Sequence, residues 1–164
     1  MKKRKIQNIV LASIAIIIIS AVVGYNYYID QLKIKGFTFG SEIQQIQEEL
    51  KKSQDEFFAS EKMLKNNEVT KEEFLEVAEK HTVKMQELIL RYDSLNPPKP
   101  FETSVDLLKL STRTQLEAEN LIINWAKTGN EDDLLRADAI FQEAFEYEIA
   151  GLAEFNAAKA GIKP

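Results

Sequence analysis

The stretch FLEVAEKHTVKMQELILRYDSL, Phe74 to Leu95, decides the fold. Within it Phe74, Ala78, His81, Met85, Leu88, Tyr92 and Leu95 recur in alternating steps of four and three, the period of one helix face turned toward a neighbour. A half-buried strand would alternate every second residue, and no part of the chain keeps that pattern. Just upstream, Thr70 with Glu73 three residues on makes a capping box, so the helix has a marked beginning. Just downstream, Pro97, Pro98 and Pro100 cannot continue it.

Outward from this helix the same signals recur. Ser41 with Gln44 offers a second capping box, Asn130 with Asp133 an N-cap followed by a dipole-favoured acid, and Gly129 a left-handed helix stop. These marks predict helices over 41–66, 70–95, 102–128 and 131–159. In the first, Ile43, Leu50, Phe57 and Leu64 lie seven apart, interleaved with Ile46, Ser53 and Ser60, so its seam is half polar. The third carries Leu108, Thr112, Leu116, Glu119, Ile123 and Ala126 on one stripe, widened by Leu107, Ala118, Leu121 and Trp125. The fourth carries Leu134, Ala137, Phe141, Ala144, Phe145, Leu152 and Phe155, and its alanines invite close packing. Helices of about 25 residues run ~38 Å, and matched lengths joined by short turns predict an all-α, antiparallel four-helix bundle over 41–160.

The other informative segment is the N-terminus. Lys2, Lys3, Arg4 and Lys5 precede a run from Ile6 to Tyr28 with no charged side chain. Its portion from Ile9 onward would span about 30 Å as a helix, one hydrocarbon core. The expected organisation is a cytoplasmic basic tail over 1–5, a transmembrane helix over 6–29, a juxtamembrane linker over 30–40, and then the bundle. Tyr25, Tyr27 and Tyr28 would form the outer aromatic belt, and Phe37 and Phe39 would rest at the headgroup boundary. The location expected is the cell membrane, single-pass, with the C-terminal domain extracytoplasmic. A cleaved signal peptide fits less well, because the apolar run exceeds ~7 to 15 residues and Val22-Val23-Gly24 is a poor cleavage site. With no cysteine, neither a lipoprotein anchor nor a disulfide can form.

The formal charge is −5; removing the four N-terminal cations leaves −9 on everything that follows. Such a surface repels nucleic acid phosphates. The partners expected are therefore the lipid bilayer and an envelope or membrane protein, with a homo-oligomer as the further arrangement allowed. Richness in Ile, Lys, Asn and Glu suits a low-GC bacterium.

No catalytic, cofactor or metal residue is assigned. His81, the one histidine, falls on a core seam, where a neutral imidazole bonded to Gln115, Glu119 or Glu148 is expected. A di-iron bundle needs two Glu-x-x-His motifs, but position 78 is Ala and the second histidine is missing. One histidine supports at most one nucleophile set, and Ser94 and Ser111 have no motif around them. Trp125, Phe145, Tyr147 and Phe155 are expected to pack between the last two helices. Two partner-contact regions are predicted: Ser53 and Ser60, where the first seam would open to a partner helix, and the rigid loop Pro97, Pro98, Lys99 and Pro100 beside Phe101. The function expected is a membrane-anchored helical interaction or scaffold protein of the bacterial envelope without catalysis. The alternative is a ligand-sensing or immunity-type bundle acting through a second membrane protein, similar in layout to extracytoplasmic sensor domains.

Overall fold

The computed structural model describes residues 38–161. The basic tail with Lys2, Lys3, Arg4 and Lys5, the apolar run over 6–29 with Tyr25, Tyr27 and Tyr28, and the linker as far as Phe37 lie outside the described residues. Among the described residues all regular structure is helical: α1 over 38–65, α2 Lys71–Ser94, a 3₁₀ turn Lys99–Phe101, α3 Glu102–Thr128 and α4 Glu131–Lys159. None of these helices is long and apolar enough to cross a membrane.

Local chemistry sets most of the ends. Thr70 accepts from the Glu73 backbone N–H at 3.2 Å while Glu73 accepts from the Thr70 N–H at 2.7 Å, closing the predicted capping box. Thr70→Ala is expected to cost about 1 kcal/mol in urea unfolding, with Thr70→Ser close to the parent; an unchanged midpoint for the alanine variant would contradict this. Asn130 accepts from Asp132, and Gly129, at φ 77°, closes α3 through its N–H to the Trp125 carbonyl. Leu95 turns extended ahead of Asn96 and Pro97, ending α2 as the proline run requires.

The start of α1 departs from the sequence expectation. Residues 38–40 are already helical, so the predicted linker ends earlier and Ser41 is interior rather than a cap. Gln44 accordingly bonds Glu48 at 2.8 Å. The cause is tertiary: Phe39, expected at a headgroup boundary, is only 4% exposed. Its ring lies 5.3 Å from that of Phe101 and 6.3 Å from that of Phe155, which extends the helix into the bundle end.

Cross-helix contacts establish the antiparallel order, because along each neighbouring pair one residue number rises as the other falls. Glu49 meets Arg91 and Ser53 meets His81 between α1 and α2. Between α2 and α3, His81 meets Glu119 and Asp93 meets Lys109. Ser111 bonds the Ala144 carbonyl and Asn124 bonds Asp133 between α3 and α4, and Phe39 and Phe58 of α1 meet Phe155 and Phe141 of α4. Glu49 takes both Lys84 at 2.6 Å and Arg91 at 2.7 Å, and these cations hold its carboxyl below the usual range.

The interior divides in two. One apolar cluster, including Ile43, Ile46, Leu50, Met85, Leu88 and Leu108, fills the end that holds Phe39; another, including Phe57, Phe74, Ala78, Ala118 and Ile122, fills the far end. The α3–α4 seam is built of small side chains. Ala137, Ala144, Gly151 and Ala158 are buried every seventh residue on α4, opposite the buried Ser104, Ser111 and Ala118 of α3.

Candidate functional site

Between the two apolar clusters lies a polar layer that touches all four helices. His81 of α2 is 3% exposed, with Phe57 stacked on one face at 4.6 Å between centroids. Its Nδ1 is 2.8 Å from Ser53 Oγ of α1, and its Nε2 is 2.9 Å from Oε2 of Glu119, a fully buried residue of α3. Neither Nε2 nor Oε2 has a further hydrogen-bond partner, so each depends on this one contact. Gln54 donates to Gln115 Oε1 at 2.7 Å and reaches Glu119 Oε1 at 3.4 Å. Gln115 donates to Ser111, whose hydroxyl donates in turn to the Ala144 carbonyl of α4 at 2.8 Å.

Hydroxyl, imidazole and carboxylate thus stand in a line, and a groove of about 520 Å³ between α1 and α2 reaches Ser53 and His81 with Lys52, Lys80 and Lys84 on its walls. The line differs from a serine-hydrolase triad in two respects. The hydroxyl sits on Nδ1 and the carboxylate on Nε2, the reverse of the hydrolase order. Ser53 also lies in mid-helix, where neighbouring backbone N–H groups serve the helix ladder and none is aimed at an oxyanion. What the geometry supplies is registration: the layer pairs only when four helices are in step, since any slip strands a buried carboxylate.

The second feature is on the outside. Phe145, Ile149 and Leu152 of α4 are 59%, 52% and 41% exposed, spaced four and three apart on one face. This corrects the sequence expectation that Phe145 and Leu152 are core. The small residues at 137, 144, 151 and 158 take the seam, which rotates Phe145 and Leu152 out to solvent. The seven-residue recurrence of those small residues was the signal that would have placed the face. Nearby, Asp138, Gln142, Asn156 and Lys159 are exposed as well, and Asp138 and Lys159 have no ion-pair partner among the described residues.

Of the predicted partner contacts, Ser60 is buried, and Ser53 is half-buried at the groove with its hydroxyl on His81. Pro97, Pro98 and Pro100 are half-buried and Lys99 is exposed, all at the bundle end that holds Phe39. Of the aromatics expected between α3 and α4, Trp125 and Phe155 are partly buried against the core, while Trp125 also donates to Glu131 at 3.2 Å. Tyr147 donates to Glu143 at 2.7 Å. Of the three partners expected for His81, Glu119 is the one it meets. Among the described residues no cluster of three or more His, Cys, Asp or Glu is arranged to hold a metal.

No family model matches the chain, and neither a curated protein nor a solved structure is detectably similar to it.

Proposed function

We propose that this chain is a membrane-anchored interaction protein of the bacterial envelope, held by the apolar segment over 6–29 and presenting its helical bundle on the extracytoplasmic side. The observation that carries the interaction reading is the outward face of Phe145, Ile149 and Leu152. A surface helix of a finished bundle keeps polar residues outward, and α4 instead carries these three large apolar residues outward while Ala137, Ala144, Gly151 and Ala158 take the α3 seam. Three neighbouring large apolar side chains at helical spacing on one exposed face mark a place where another molecule excludes water. The basic cluster followed by the uncharged run over 6–29 supports the anchor, since it supplies both length and a positive-inside flank.

The test is photocrosslinking in intact cells expressing the full chain, with a photoreactive phenylalanine analogue placed at Ile149 or at Leu90. Leu90 is 67% exposed, but on α2, and serves as the control. An adduct at Ile149 with none at Leu90 is the expected result. Equal yields at both, or none at either, would overturn the interaction reading.

A further inference from the structure

We infer that the occupant of the α4 face is the α4 face of a second copy, paired antiparallel about a two-fold axis at Ile149; this rests on the interaction reading above and names its partner. The face is self-complementary when reversed. Its middle is apolar, with Phe145, Ile149 and Leu152, and it is flanked on one side by Gln142 and Asp138 and on the other by Asn156 and Lys159. Laying the helix against a reversed copy centred on Ile149 sets Ile149 against its own equivalent. Phe145 then meets Leu152 and Ala153 of the second copy, and Gln142 meets Asn156, two amides that satisfy each other. At the ends Asp138 reaches Lys159.

An isologous contact of this kind requires that residue i meet j while j meets i, and each of these pairs occurs twice by symmetry. The ion pair matters because neither Asp138 nor Lys159 has an ion-pair partner among the described residues. A parallel pairing would instead place Asp138 against Asp138 and Lys159 against Lys159, at a like-charge cost. The contact extends over ~33 Å of helix, from Asp138 to Ala160. Glu146 and Glu148 flank the axis and oppose it, so the association is reversible rather than obligate. Tethering both copies to one membrane would raise their effective concentration and favour the contact.

The chain has no cysteine, so introduced cysteines report single positions. The experiment compares disulfide formation on mild oxidation of the full-length protein carrying Ile149→Cys or Leu90→Cys, and of a mixture of differently tagged Phe145→Cys and Ala153→Cys chains. The inference predicts that Ile149→Cys forms the dimer at least about tenfold faster than Leu90→Cys, since symmetry brings its two thiols within bonding reach. It also predicts that the mixture gives the mixed disulfide in preference to a Phe145→Cys homodimer. A Phe145→Cys homodimer in excess would overturn the antiparallel register. Ile149→Cys no faster than Leu90→Cys, together with a heterologous photoadduct at Ile149, would overturn the second copy while leaving the interaction reading intact. No adduct by either chemistry would overturn both.

Discussion

Glu119→Leu is expected to lower stability by about 1–3 kcal/mol, the usual cost of leaving a buried hydrogen-bonding group without its partner. For a domain of this size the melting temperature would drop by roughly 5–10 °C. The loss has two sources. His81 Nε2 keeps its burial and loses its one contact, and Gln54 loses its second acceptor. The decisive comparison is the double variant His81→Leu with Glu119→Leu. Two apolar side chains in that layer leave neither member of the pair without its partner, and Ser53, half-buried at a groove, can turn to water. The double variant is therefore expected to recover most of the loss and to show strong coupling between the two positions in thermal unfolding. Additive losses from His81→Leu and Glu119→Leu would show that the two do not act as a pair. Because the polar layer sets register rather than adding net stability, the recovered variant is also expected to show weaker specificity of helix alignment, seen as broadened amide resonances at unchanged helicity.

Gly151→Leu carries the second large effect, about 3 kcal/mol or more of destabilisation. A Cβ built on Gly151 would lie 2.9 Å from Leu108 Cγ, 3.0 Å from its Cδ2 and 3.2 Å from its backbone nitrogen. The nitrogen belongs to the α3 backbone and Leu108 is 1% exposed, so neither can step aside without separating α3 from α4. Gly151→Ala meets the same obstruction but gains about 1 kcal/mol of helix propensity, so its expected net loss is smaller, about 1 kcal/mol. Ala59→Leu, exposed on α1, is the control and should change stability by less than about 0.5 kcal/mol. Equal stability of Gly151→Leu and Ala59→Leu in urea unfolding would refute the close α3–α4 seam.

Much of this architecture was legible in the residues because local and long-range signals agree along α2, α3 and the turns. Thr70 with Glu73, the prolines after Asn96, and Gly129 each act within a few residues, and each sets the boundary its chemistry implies. The same holds for the seam from Phe74 to Tyr92, which is buried throughout. Where tertiary packing decides, the pattern misleads. Ser41 and Gln44 look like a cap, yet the contact of Phe39 with Phe101 and Phe155 carries the helix past them. Phe145 and Leu152 look like core by hydrophobicity, yet close approach on α4 selects Ala144 and Gly151, because small residues allow backbones to meet. The buried layer was half visible: Glu119 was among the partners expected for His81, whereas Gln54 and Gln115 are long polar side chains that ordinarily sit in water. Their burial follows only once Ser111, Glu119 and His81 surround them.

An anchored bundle displayed outside the membrane is tested most directly by accessibility. A single cysteine at the exposed Lys99 or at Lys3 of the full chain would be challenged with a membrane-impermeant thiol reagent, in intact cells and after lysis. Lys99→Cys is expected to be labelled in intact cells and Lys3→Cys only after lysis. Labelling of Lys99→Cys only after lysis would contradict it.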